Sequence, residues 1–114
     1  MTEACLFCRI VAGEIESDLV LETPTTIAFR DIRPVAPVHV LVVPRAHLGS
    51  LSELGPEHRG LTADLLGGAV AVARSEGIFD SGYRVVVNVG RDGGQMVGHL
   101  HLHVIGGREL RGLP

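Results

Sequence analysis

The chain has 114 residues, 46% of them hydrophobic and 20% charged, which excludes a disordered protein and predicts one domain over residues 1–114. A formal net charge of −3 argues against a nucleic-acid or membrane surface but leaves nucleotides open as small ligands. No basic start runs into an apolar stretch and no apolar segment approaches a membrane span, so a soluble cytoplasmic protein is expected.

In chain order, residues 5–13 read as a short helix with Leu6, Ile10 and Phe7 turned inward and Gly13 closing it. Residues 18–22 and 25–30 are apolar-rich and separated by Thr23-Pro24, which predicts two strands joined by a turn. Residues 38–43 form a third strand between Pro37 and Pro44. Pro56 opens the longest helix in its favoured first turn, with Glu57 complementing the helix dipole. Leu61, Leu65, Ala69 and Val72 recur at helical spacing until Gly77 stops it, and His58 near its start reads as exposed. Gly67-Gly68 in mid-helix costs roughly 1 kcal/mol each relative to alanine, and close packing against a sheet or a second subunit is one compensation. Residues 83–89 read as a fourth strand, 91–94 as a turn-rich loop and 99–105 as a fifth strand. Hairpin-length connections favour an α+β fold: a mainly antiparallel five-stranded sheet with one long and one short helix.

The last strand, His99-Leu100-His101-Leu102-His103-Val104-Ile105, is the most informative segment. Strict alternation puts three imidazoles on one face and Leu100, Leu102 and Val104 on the other, where their burial fixes the register. Neighbouring histidines on a regular strand lie roughly 6.5 Å apart and the outer two roughly 13 Å, too far to share one metal at about 2 Å from each nitrogen. Three readings follow: solvent-facing histidines, an H-x-H pair in a zinc hydrolase, or a central nucleophile flanked by supporting imidazoles. Gly106-Gly107 after the strand lets the backbone approach a bulky charged group.

Cys5-Leu6-Phe7-Cys8 fits a cytosolic metal or redox site better than a secreted disulfide framework. The pair reads as a redox couple, a zinc half-site needing two further ligands, or two buried thiols. Redox chemistry is the weakest of these, because the redox motif follows a strand and only four residues precede Cys5.

The histidine segment resembles the H-φ-H-φ-H-φ-φ signature of the histidine-triad (HIT) nucleotide-binding proteins. Phe29-Arg30-Asp31-Ile32-Arg33-Pro34, Ala36-Pro37-Val38-His39, Val43-Pro44-Arg45-Ala46-His47 and Gly93-Gly94-Gln95 resemble the family's other blocks, in the same order. Val104-Ile105-Gly106-Gly107-Arg108 is similar to the nucleoside phosphoramidate hydrolase branch; the dinucleoside polyphosphate hydrolases usually have a proline there.

The resemblance implies a role for each matching residue. His101 would attack the α-phosphorus to form a nucleotidyl-histidine, which water resolves to a nucleoside monophosphate. His103 would contact phosphate and assist the leaving group, and His39 would support the transferred phosphate. Asp31 would take the ribose hydroxyls, and Phe7, Ile10, Phe29 and Ile32 would hold a purine base, as of AMP or GMP. Asn88 lies near the phosphate, while Gly94, Gln95 and Met96 belong to the loop facing the scissile bond. Met96 departs from the pattern: a hydroxyl residue usually follows this glutamine, and a thioether cannot donate its hydrogen bond. The chain ends at Pro114, where some relatives carry a longer tail that shapes the leaving-group pocket.

For the cysteines, the resemblance implies a structural zinc held by Cys5, Cys8, His47 and His99, with no organic cofactor. It also implies a homodimer joined by sheet extension and packed long helices, with which apolar Val85, Val86 and Val87 are compatible. The activity implied is cleavage of nucleoside 5′-phosphoramidates or related mixed phosphates. The rivals are dinucleoside polyphosphate hydrolysis and a nucleotide-binding scaffold with incidental turnover.

Overall fold

A computed structural model describes residues 5–112; the remaining residues, Pro114 among them, lie outside this description. Five strands form one sheet: β1 (Leu19–Glu22), β2 (Thr26–Arg30), β3 (Val38–Pro44), β4 (Tyr83–Val86) and β5 (Leu102–Gly106). Their spatial order is β1-β2-β3-β5-β4 and every neighbouring pair is antiparallel. Helix α2 (Arg59–Ser75) covers one face, and the short α1 (Leu6–Val11) packs its Phe7 among the apolar side chains of the other. The expected α+β fold with one long and one short helix is the one observed.

Strand parity divides the core. Ala28, Val40, Val42, Leu102 and Val104 point toward α2 and pack with its Leu65, Ala69, Val72 and Ala73. Ile27, Phe29, Leu41 and Val43 point the opposite way and pack with Phe7. The same parity puts His39 and His103 on the Leu41 side of the sheet, since Leu41 pairs with His103 and His39 with Ile105.

Several boundaries differ from the sequence reading. The fifth strand begins at Leu102, not His99. In this register Leu100 would face Pro44, which has no N–H to offer the Leu100 carbonyl and whose own carbonyl accepts from His99 Nε2, and Leu100 N–H donates to the Leu48 carbonyl instead, at 2.7 Å. The fourth strand ends at Val86 because its last partner is His103, and the segment before β5 has left the ladder. The long helix is preceded by a 3₁₀ turn over Pro56–His58, and His58 is half-buried, its Nδ1 accepting the Gly55 N–H at 3.0 Å. In α1 only Phe7 is buried; Leu6 is exposed and Ile10 half-buried, because they border an open cleft.

Three glycines have physical explanations. A Cβ on Gly68 would meet Val42 Cγ1 at 3.3 Å, so α2 lies close on the sheet there; the same atom on Gly67 would meet nothing within 4 Å. Packing requires both residues of the Gly106-Gly107 pair. A Cβ on Gly106 would meet Ile78 Cδ1 at 2.9 Å, while Gly107 has φ +93° and Pro37 at 2.8 Å. No helix among the described residues is long and apolar enough to cross a membrane.

Candidate active site

A cleft of about 500 Å³ opens on the α1 side of the sheet, within the size range of small-ligand sites. Its apolar end is built by Leu6, Phe7, Ile10, Phe29, Leu41 and Ile32, with Asp31 on the rim. Its other end is built by His101, His103, Asn88, Gly94 and Met96. The sheet order separates these ends. Phe29 and Ile32 belong to β2 and the loop after it, His103 to β5 and His101 to the residue just before it, and Asn88, Gly94 and Met96 to the loop from β4 to β5.

The hydrogen bonds settle where the ring protons lie. His101 Nδ1 is 2.7 Å from the main-chain oxygen of His99, so Nδ1 carries the proton and Nε2 keeps a lone pair. His39 Nδ1 receives the Val35 N–H at 3.2 Å, so its proton is on Nε2. That Nε2–H faces His103 Nδ1 at 2.9 Å and Asp31 Oδ2 at 3.5 Å. His103 Nδ1 therefore accepts, and its own proton is on Nε2. Two adjacent imidazoles, with ring centroids 5.0 Å apart, thus differ in kind: His101 carries a free base at Nε2, His103 an N–H donor.

Burial supports the neutral forms. It pushes the His103 pKa down to about 4, assisted by its neighbours His101 and His39 against Asp31. Burial also lowers the pKa of His39, opposed by Asp31. Phe7 holds the His101 ring edge-to-face at 5.2 Å and itself rests on Phe29 at 5.4 Å.

Beside this cleft, Cys5, Cys8, His47 and His99 bring four ligand atoms within 4.8 Å of one another, close enough to hold a metal ion. His99 Nδ1 lies 3.3 Å from Cys5 Sγ and 3.5 Å from Cys8 Sγ, and His47 Nδ1 lies 3.1 Å from Cys8 Sγ. A tetrahedral ion with arms of about 2.1–2.3 Å spaces its ligand atoms roughly 3.4–3.8 Å apart, so the set fits. His99 Nε2–H donates to the Pro44 carbonyl at 2.9 Å, which leaves Nδ1 free to ligate, and the ring is fully buried. Burial and the neighbouring Cys5 push the Cys8 thiol up to about 11.

The structure thus brings fourteen of the sixteen site residues predicted from sequence into these two clusters, and treats the other two differently. His39 lies behind His103, not on the cleft wall. Gln95 is absent from the wall as well: its Oε1 accepts the Gly90 N–H, and its Nε2 donates to the Gly49 and Val97 carbonyls. It latches the loop and does not project into the cleft. Asn88 borders the cleft with Nδ2 donating to the Gly93 carbonyl at 2.8 Å. Sequence reasoning missed the Val35 N–H, which sets the His39 proton and which no side-chain motif marks.

The HIT domain family model matches residues 12–110, so the chain belongs to the HIT family. It is 39% identical over 110 residues to the purine nucleoside phosphoramidase of Escherichia coli K12, covering 96% of this chain and 92% of that one. Among solved structures, a HIT family hydrolase from Legionella pneumophila superposes with a TM-score of 0.91 at 44% identity, covering 94% and 96% of the two chains. A HIT family hydrolase from Clostridium thermocellum superposes at 0.94 with 38% identity, covering 97% and 96%.

Proposed function

We propose that this chain, acting as one domain, is a hydrolase that cleaves purine nucleoside 5′-phosphoramidates or related mixed phosphates at the α-phosphorus. The observation that carries this reading is the complementary protonation of His101 and His103, a nucleophile and a proton donor side by side on one cleft wall. The similarity to a purine nucleoside phosphoramidase supports the choice of substrate class.

The base enters the apolar end between Phe29, Ile10 and Ile32, with Asp31 at the rim taking the ribose hydroxyls. That directs the α-phosphorus to His101 and His103. His101 Nε2 attacks phosphorus, and the P–N bond breaks as the leaving nitrogen takes the Nε2 proton of His103. A nucleotidyl-histidine remains. Water then attacks the same phosphorus, returns a proton to His103 and frees His101 with release of the nucleoside monophosphate. His39 holds His103 in the donor tautomer through both steps. Nothing in this sequence needs a metal at phosphorus.

The four-ligand cluster is read as a structural zinc site held by Cys5, Cys8, His47 and His99. With four protein ligands it would supply rigidity and not an activated water. Reduced thiols at that site suit a cytoplasmic location. The edge strand β4 with half-exposed Val85, together with Leu66 and Val70 on α2, supports pairing with a second copy through sheet extension and helix packing.

The test is turnover of a fluorogenic adenosine 5′-phosphoramidate by the wild type and by His101→Ala. We expect steady turnover that falls at least about 10³-fold in the variant, with an adenylylated wild-type intermediate in quenched samples. Faster cleavage of a dinucleoside polyphosphate would favour the polyphosphate reading. AMP binding without turnover of either substrate would leave a binding protein.

A further inference from the structure

Two nucleophilic side chains, Cys5 and Cys8, take no part in the chemistry at phosphorus, yet in sequence they flank Phe7, which lines the cleft. Cys5 caps α1, and its Sγ accepts the Cys8 N–H at 3.3 Å. This one helical turn sets both sulfurs toward His99, with all four ligand atoms of the cluster within 4.8 Å of one another. Phe7 is buried and lies edge-to-face on His101 at 5.2 Å and on His99 at 5.9 Å. The cluster is not sealed from solvent: Cys8 is half-buried, and its Sγ meets the exposed His47 at 3.1 Å.

We propose that Cys5 and Cys8 are a modification site, where a hydroperoxide joins them in a disulfide that expels the zinc and disables the cleft through Phe7 and His99. The proposal rests on the zinc reading above and adds a condition under which that centre is dismantled.

The step balances with hydrogen peroxide as the oxidant. Cys8 Sγ, as thiolate, attacks one peroxide oxygen; the O–O bond breaks, hydroxide leaves and a sulfenic acid forms. Cys5 Sγ attacks the Cys8 sulfur, the S–S bond forms and a second hydroxide leaves. The two hydroxides take up two protons to become water, so the two sulfurs give up two electrons and the peroxide gains them. A divalent cation loses both anionic ligands and departs, since His47 and His99 alone are a weak pair.

Geometry carries the change to the cleft. A tetrahedral zinc keeps two sulfurs roughly 3.8 Å apart, whereas a disulfide draws them to about 2.05 Å. The turn that closes holds Phe7, so the support of the His101 ring shifts with it. His99 loses its metal anchor at the same time, and its carbonyl is the group that fixes His101 Nδ1 at 2.7 Å. Intracellular thiols would reduce such a disulfide again, which makes the modification reversible.

The experiment treats zinc-loaded wild type with hydrogen peroxide. It reads zinc freed to a chromogenic chelator, intact mass, and turnover of the fluorogenic adenosine 5′-phosphoramidate. We expect one zinc released for each chain that becomes lighter by two hydrogen atoms, with turnover lower by at least about tenfold. Dithiothreitol with added zinc should restore mass, metal and rate together. Oxidation of the exposed Met96 adds oxygen and is not reversed by dithiothreitol, so mass separates it from the disulfide. Zinc retained under peroxide, or cysteines that gain oxygen without forming a disulfide, overturns the proposal. A disulfide that leaves turnover unchanged overturns it as well. A reduced protein that takes up no zinc overturns the zinc reading and the proposal together. Zinc-loaded protein that turns over no phosphoramidate overturns the phosphoramidase reading instead, and the zinc and mass measurements, which need no substrate, still decide the disulfide.

Discussion

His99 and His101 are joined by a 2.7 Å hydrogen bond between the His99 carbonyl and Nδ1 of His101, while the side chain of His99 faces Cys5 and Cys8. One residue therefore belongs to both clusters: its imidazole to the candidate metal ligands, its main chain to the base that faces the cleft. Phe7 makes a second connection, lying edge-to-face against both rings at 5.9 and 5.2 Å from an α-helix whose N-cap is Cys5.

If the four-ligand cluster holds zinc as proposed, removing it should consequently disturb more than its ligands. Chelation, or Cys8→Ser, is expected to lower Tm by on the order of 10 °C and to reduce kcat, because the His99 carbonyl and Phe7 lose their anchor. Calorimetry with parallel metal analysis checks this. An unchanged Tm in metal-free protein would refute it.

The Val35–His39–His103 chain makes a separable prediction. His39→Leu leaves His103 Nδ1 without its donor and frees the ring to take the wrong tautomer. The expected result is a kcat roughly 10²-fold lower with KM changed little, whereas His39→Gln, which can still donate, retains more activity. Equal losses in the two variants would argue against a tautomer role.

Stability should fall in mild acid. His103 titrates near 6.5 in the unfolded chain and about 4 in the folded one, so between these values the unfolded chain binds more protons. Stability attributable to this group is present above pH 6.5 and is lost as the pH falls toward 4; His39, shifted in the same direction, adds to the effect. Tm measured from pH 7.5 to 4.5 should decline, and His103→Asn should flatten the curve. A parallel curve for the variant would assign the acid sensitivity to other groups.

The two mid-helix glycines should respond oppositely. Gly67→Ala meets no neighbour and is expected to stabilise by about 0.5–1 kcal/mol through helix propensity. Gly68→Leu drives a large side chain into Val42 and Thr26 and should destabilise by about 1–3 kcal/mol. Chemical denaturation of both variants tests the pair, and similar effects at the two positions would contradict the packing described.

Much of this was legible before any coordinates. Alternation in residues 99–105 correctly sorted Leu100, Leu102 and Val104 into the α2 core, because burial of one strand face is a property of spacing alone. Helix α2 was legible for the same reason, through Leu65, Ala69 and Val72. The ends of the last two strands were not. Where β5 begins depends on Pro44 of another strand failing to offer an N–H, and no local pattern in residues 99–101 carries that information.

Residue types and order by themselves determined the sheet and helix content, the buried faces and the family resemblance, since these follow from periodicity and from motifs short in sequence. Tertiary structure alone decided the chemistry of each imidazole. His99, His101 and His103 are identical side chains two residues apart, yet one faces thiols, one keeps a free base and one presents a proton. Their partners, the Pro44 carbonyl, the His99 carbonyl and the Val35-bound His39, come from different stretches of chain, and only folding brings a hydrogen-bond donor or acceptor to a particular ring nitrogen.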